Sequence, residues 1–398
     1  MTSPVQSNEL PVRALIPGWS LWDTVAPNAS QHDGRDPQQG ASRSNEEFRA
    51  FLLASLQMQN LLVLAGSGTS LSAGGPTMSD LWTACINADT AAADAVFTTA
   101  QYGRAPGENS IEELLSRCDA LLQFTHNAAI NAFRVQSIAK LLSLCRVPGT
   151  AVPDSLGAHR EFLKRLARRR ARDTRLKIFT TNYDRCFELA AGELGLVAID
   201  GFSFSQPRRF DPRFFDYDIV SRAAGNQDTS AYIPGVFQYY KLHGSVDWRL
   251  TGGSVVIDAN VSTEDAALIY PASTKFKTSY QQPHLELMAQ YLASLRQANT
   301  CLVVAGFGFN DRHLSEPILA ALETNPHLRV IVVSPNAEQK MQATPIHDIW
   351  GRLTVLAHRG ADVAFVGARF DDFVPLIPDL RALSPAERLA RAVEGVVD

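Results

Sequence analysis

The sequence predicts an α/β fold, a Rossmann-like, doubly wound, mainly parallel sheet carrying an inserted helical subdomain. Three observations predict it. Short, strongly apolar runs alternate with helical segments, the pattern of a parallel sheet covered on both faces. Glycine-rich or polar motifs follow directly after those runs, where an open sheet of this kind builds its ligand crevice. A long stretch of helical periodicity separates the first run from the second.

Residues 1–44 are rich in Pro, Gln, Asn, Ser, Asp and Gly and are expected to form a flexible N-terminal arm, with Trp19 and Trp22 as its anchors. The remainder, 45–398, is expected to be one domain. Glu46–Gln57 has Phe48, Leu52, Leu53 and Leu56 near a 3.6 spacing and reads as a helix. Asn60–Ala65 reads as a buried parallel strand. Helices, among them Ile111–Phe124 and Ala128–Leu144, fill the insertion, about 80–172. Leu176–Thr180 is the next strand, followed by a helix from Tyr183 to Leu194 that Gly195 ends. Residues 200–232 read as loop. Val236–Leu242, Ala267–Tyr270, Thr300–Ala305 and Leu328–Val333 are strands, with a helix over Ser315–Glu323. Leu353–Leu356 and Val363–Val366 are candidate strands, and Pro385–Val397 closes the chain as a helix.

The 398 residues are 45% hydrophobic with a net charge of -4, enough for a substantial core and no global reason to bind nucleic acid directly. The basic run from Arg165 to Arg175 reads as the solvated end of a helix. Five scattered cysteines without a Cys-x-x-Cys pair fit neither a zinc site nor a disulfide framework and suit a reducing cytoplasm. No apolar stretch approaches the ~20 residues of a membrane span.

Five post-strand motifs carry chemistry. In Gly66-Ser67-Gly68-Thr69-Ser70, glycines allow close backbone approach to a pyrophosphate, although the spacing is neither Gly-x-Gly-x-x-Gly nor a P-loop. Thr181-Asn182-Tyr183-Asp184 offers an amide and a carboxylate, or simply a helix cap. In Leu242-His243-Gly244-Ser245, an imidazole able to exchange protons near neutral pH stands beside a glycine. Gly306-Phe307-Gly308-Phe309-Asn310-Asp311 supplies a second glycine turn, and Ser334-Pro335-Asn336 an amide placed to bond a ribose or to cap the next helix.

In this order the motifs resemble the bacterial sirtuin-like NAD hydrolases of antiphage defence, over about residues 45–375. The resemblance implies NAD+ as the substrate, lying across the sheet. Gly66, Gly68, Ser70, Gly306 and Gly308 would then face its phosphates, Asn336 would bind the adenosine ribose, and Thr181 and Asn310 would add nucleotide contacts. Asn182 would orient the nicotinamide ribose or the attacking water, supported by Asp184, and His243 would act as general base. It further implies a homo-oligomer and, for a chain of this build, a HerA-type hexameric ATPase partner, with any nucleic-acid contact indirect. Protein-deacylating sirtuins carry a four-cysteine zinc module and an Ile-Pro-Asp-Phe-Arg segment. This chain lacks both and has Gly75-Pro76-Thr77-Met78-Ser79-Asp80 instead. Water is therefore the expected acceptor. A deacylase or ADP-ribosyltransferase, and a non-catalytic module binding NAD or ADP-ribose, are the alternatives.

Overall fold

The computed structural model describes residues 12–26, 43–87, 90–100, 102, 110–147, 155–169, 173–222, 230–268 and 282–380. Its strands are β1 (Arg13–Leu15), β2 (Asp23–Thr24), β3 (Asn60–Ala65), β4 (Lys177–Thr180), β5 (Val197–Ile199), β6 (Val220–Arg222) and β7 (Ser230–Tyr232). They continue with β8 (Val236–Lys241), β9 (Gly244–Thr251), β10 (Ser254–Ile257), β11 (Ala266–Leu268), β12 (Thr300–Ala305), β13 (Leu328–Val333) and β14 (Val363–Gly367). Nine of them form one sheet in the order β2-β1-β14-β13-β12-β3-β4-β8-β5. From β14 to β5 every pairing is parallel, and β1 and β2 add antiparallel to the β14 edge.

Alternation along each strand divides the core in two. Leu61, Val63, Ala65, Cys301, Val303 and Ala305 face one layer of helices, and Leu62, Leu64, Leu302 and Val304 face the other. A third core belongs to the insertion, whose helices Met78–Ile86, Thr90–Thr99, Ile111–Leu122 and Ala128–Leu144 pack around Leu114, Leu115, Phe133 and Leu141. Two residues outside the insertion complete that core, Tyr183 and Val246. They hold the module against the sheet.

Several expectations change. Within residues 12–26, expected in a flexible arm, Arg13–Leu15 and Asp23–Thr24 form β1 and β2, and Trp19 packs on the core with its Nε1 donating to Glu47 Oε2 at 3.0 Å. The helix Gly157–Leu166, placed in the insertion, packs instead against the sheet through Phe162 and Leu163. Leu353–Leu356 is helical, inside Ile349–His358, because Trp350 and Leu353 share one buried face at helical spacing. The 200–232 segment contains β6 and β7 besides its loops. In the basic run Arg169 is buried and donates to the carbonyls of Leu56 at 2.9 Å and Thr174 at 3.0 Å, so it ties the sheet layer together rather than facing solvent. Tyr270 and Pro385–Val397 lie outside the described residues.

The chain leaves β3 toward β4 on one side and returns at β12 on the other, so the sheet's switch point lies between β3 and β12. There the two glycine turns touch. Gly68 N–H donates to Gly306 O at 2.9 Å, and Gly66 N–H to Ala305 O at 3.0 Å. Gly306 has φ +61, and a Cβ on it would stand 2.5 Å from Thr69 N and 2.6 Å from Gly68 C. Gly306→Ala therefore combines left-handed strain with a backbone clash and should cost about 1–3 kcal/mol of stability. Urea denaturation measures this, and a loss below ~0.5 kcal/mol, the range of neutral surface changes, would show that the turns can part freely.

Candidate functional site

The first four motifs meet at one end of the sheet because of register. Ala65 pairs with Thr180 and with Ala305, and Thr180 pairs with Lys241. Gly66 and Gly306 thus follow paired residues by one position, and Asn182 and His243 follow a paired row by two. Tyr183 O accepts from Val246 N–H at 3.0 Å, which ties the loop after β4 to the strand β9 that follows His243.

Asn182 is buried, and its Nδ2 donates to Thr69 Oγ1 at 3.1 Å and Ser70 Oγ at 2.9 Å. Thr69 Oγ1 in turn donates to Gly66 O at 2.8 Å. The first glycine turn therefore aims the amide through hydroxyls. Asn182 Oδ1 has no hydrogen-bond partner among the described residues.

His243 is buried just past β8, with Nε2 3.1 Å from Asp311 Oδ2. Asp311 caps the helix Arg312–Thr324, its Oδ1 accepting from His313 N–H at 2.9 Å. Nε2–H as donor to this carboxylate leaves Nδ1 as the acceptor, and Nδ1, like Asn182 Oδ1, is buried without a partner among the described residues. Desolvation draws the imidazole pKa down. The Asp311 hydrogen bond and the charges of Glu112 and Asp311 outweigh it, and the net pKa lies above 6.5. For Asp311 burial acts upward, yet the bond to His243 and the imidazolium charge hold its carboxyl below the ordinary value.

Glu112 enters from the insertion. Its Oε1 accepts from Tyr183 Oη at 2.8 Å, and burial pushes its carboxyl up while the His243 charge acts against that rise. His284 Nδ1 lies 3.1 Å from Leu242 O, and desolvation holds its pKa at about 4, so it is a neutral donor bracing the end of β8.

Other expected residues sit as follows. Asp184 is buried beside Asn182, but its Oδ1 accepts from Cys186 N–H at 3.0 Å at the start of the helix Cys186–Glu193. Thr181 N–H donates to Ala65 O at 3.0 Å. Gly308 and Asn310 are exposed at the mouth of the site, on either side of Phe309, which is buried at φ +62 and packs on Phe307 and Trp350. Asn336 is exposed beyond β13 and precedes the helix Ala337–Ala343 without a side-chain capping bond. Thr77 and Asp80 form a capping box that starts the helix Met78–Ile86. Among the described residues, no group of three or more His, Cys, Asp or Glu is arranged to hold a metal ion, and no helix is long and apolar enough to cross a membrane.

Sequence reasoning passed over Asp311 and Glu112. Asp311 stands in the Asn310-Asp311 pair, where its helix-capping role is the ordinary reading. Glu112 gave no signal, since one acid in the first turn of an amphipathic helix is commonplace.

With this geometry in view, the comparisons can be placed. A family model described as a SIR2-like domain matches residues 176–352, from the start of β4 into the helix Ile349–His358. No curated protein matches the chain. Solved structures of two Sir2-homologue point mutants in complex with ADP ribose align with 86% of this chain and 98% of theirs. Their identities are 15% and 13% and their TM-scores 0.40 and 0.42. A structure presented as the basis for the mechanism and regulation of Sir2 enzymes aligns with 87% of this chain and 99% of its own, at 10% identity and TM-score 0.38. Scores at that level carry no chemical argument, so the α/β assignment stands on the strand order itself.

The His243–Asp311 pair has a defined pH behaviour. Its stabilisation from His243, whose pKa is raised, is fully present below pH 6.5 and lost as pH rises through the folded value. Its stabilisation from Asp311, whose pKa is lowered, is present above the ordinary value of 3.8 and lost as pH falls through the folded one. Asp311→Asn should therefore lower the His243 titration midpoint, and should destabilise most between pH 3.8 and 6.5. Imidazole NMR and denaturation across pH test both; an unchanged midpoint would show that the carboxylate does not act on the ring.

Proposed function

We propose that the protein is an NAD+ glycohydrolase that cleaves NAD+ to nicotinamide and ADP-ribose. One observation carries the reading: Asn182 Oδ1 and His243 Nδ1, at the ends of adjacent strands, are buried acceptors without partners among the described residues. An unmet buried acceptor costs roughly 1–3 kcal/mol, and a ribose or a water presents the hydroxyl donors that would meet both. The spread of the motifs supports an elongated ligand. From β8, which carries His243, to β13, which precedes Asn336, the sheet crosses four strand spacings, roughly 19 Å at ~4.8 Å each. A dinucleotide spans such a distance; a mononucleotide does not.

In the proposed reaction the bond from C1′ to the pyridinium nitrogen breaks and its electron pair leaves with nicotinamide as a neutral base. No general acid is needed. The ribose becomes oxocarbenium-like, and water attacks C1′ while His243 Nδ1 takes its proton. Asn182 Oδ1 orients the ribose hydroxyl or the water. Thr69 and Ser70 hold the amide in that direction, and Asp311 holds the imidazole tautomer that offers Nδ1. Thr181 and the exposed Gly308, Asn310 and Asn336 are assigned to the nucleotide along the sheet. Gly66, Gly68 and Gly306 spend their missing side chains on the contact between the two turns, so phosphate recognition would come from backbone N–H groups around Ser70 and Gly308. Asp184, already bonded to Cys186, acts through the placement of its own loop. Water is proposed as acceptor in preference to acyl-lysine because the sequence lacks the zinc module and the Ile-Pro-Asp-Phe-Arg segment of the deacylases.

The cellular reading follows from the motif resemblance: a cytoplasmic antiphage effector that depletes NAD, acting as a homo-oligomer with a HerA-type ATPase. Mass measurement of the purified chain, alone and with such an ATPase, tests the assembly, and a monomer in both cases removes it.

Incubating the protein with NAD+ and separating the products by chromatography tests the activity. His243→Ala and Asn182→Ala should each remain folded and lose on the order of 10²–10⁴ in turnover. Wild-type turnover in either variant takes that residue out of the chemistry. Transfer of label from NAD+ to protein, or cleavage only with an acylated peptide, would replace hydrolysis with another acceptor.

A further inference from the structure

We propose that Glu112, from the inserted helical module, is a positioning residue of this site, holding Tyr183 by a hydrogen bond and setting the charge opposite His243. The inference rests on the NAD-cleaving reading and adds a part of the chain outside the sheet motifs.

Three observations converge on Glu112. It accepts the Tyr183 hydroxyl proton at 2.8 Å, and Tyr183 is the residue next to Asn182. The Tyr183 and His243 rings lie 6.4 Å apart, and Glu112 and His243 each stabilise the charged form of the other. Glu112 also lies in the first turn of the helix Ile111–Leu122, one of the helices whose core includes Tyr183 and Val246, so its place is fixed by the packing that docks the module. A hydrogen-bonded tyrosine alone would be a structural detail. A half-buried carboxyl close enough to act on a second one, Asp311, with an imidazole between their influences, is more than packing requires, since like charges repel.

The groups around the His243 ring are Asp311 from the β12 loop, Glu112 and Tyr183 on the module side, and His284 from the helix Pro283 leads into. His313 lies behind Asp311. His284 is neutral near pH 7, so the groups that raise the His243 pKa are carboxyls on two different elements, Asp311 and Glu112. Glu112 raises the His243 pKa and the His243 charge acts against the rise at Glu112. Removing the Glu112 charge leaves His243 to titrate against Asp311 alone, at lower pH.

Glu112→Gln keeps an acceptor for Tyr183 and removes the charge; Tyr183→Phe does the reverse. The full-length protein and both variants are compared by NMR titration of the His243 imidazole and by kcat and kcat/KM for NAD+ across pH. Glu112→Gln should shift the His243 midpoint, and with it the acid limb of kcat/KM, to lower pH, with KM little changed. Tyr183→Phe should keep the limb in place and lower kcat, by up to about 10²-fold if Asn182 is displaced. A folded Glu112→Gln protein with the wild-type His243 midpoint overturns the proposal. Should Glu112→Gln fail to fold, the unaltered midpoint and lowered kcat of Tyr183→Phe support it, and a Tyr183→Phe protein with wild-type kcat overturns it. If wild-type protein leaves NAD+ intact, the NAD reading falls, while the NMR comparison still decides whether Glu112 acts on His243.

Discussion

The contact between the two glycine turns is the constraint on which the site depends. β3 and β12 run side by side in register, and the chain leaves their ends in loops that would collide if either carried side chains at Gly66, Gly68 or Gly306. The backbone bond from Gly68 to Gly306 closes that seam. Each turn then positions one polar group of the neighbouring strands. The first holds Asn182 through Thr69 and Ser70, and the second, continuing into Asp311, holds His243. Amide and imidazole come from β4 and β8, but their directions are set from β3 and β12. A shift at the seam would therefore misalign both.

Electrostatics explains why an imidazole suits this place. A buried histidine by itself is driven neutral by desolvation, as His284 is. His243 escapes that fate because two carboxylates surround it, and its charged form is retained above the ordinary range. Asp311, held below the ordinary carboxyl range, keeps its negative charge beside the ring, and the cluster becomes more negative when His243 gives up its proton. That environment would favour positive charge developing on the ribose of the proposed substrate, as the proposed N-glycosidic cleavage requires. The same cluster would disfavour a reaction that builds an oxyanion at this spot.

The parallel sheet and its motif-bearing edge were legible because they rest on local pattern. Apolar runs such as Asn60–Ala65 and Thr300–Ala305 are buried on both faces, and parallel register brings the residues that follow them to one level. What sequence missed depends on distant partners. β1 is three residues long and becomes a strand only because β14 offers an edge. Leu353–Leu356 is too short for its period to show, and Trp350 decides in favour of a helix. Arg169 sits in a basic run of solvent-facing appearance, yet carbonyls from the Leu56–Gln59 turn surround its guanidinium. The glycine turns were read for what a ligand needs, whereas their missing side chains first serve each other.

The same reasoning gives the helical module a role beyond decoration. Its core is incomplete without Tyr183, from the loop that carries Asn182, and Val246, from the strand β9 that follows His243. The bond between Val246 N–H and Tyr183 O joins the two at the point where the module rests on them. Rigid displacement of the module would have to pull Tyr183 out of an apolar cluster, break its bond to Glu112, or drag the loop of Asn182 along. Each route alters the site before it exposes it. A helical insertion attached only at its chain ends could move without consequence; one whose core is completed by the site's own segments cannot.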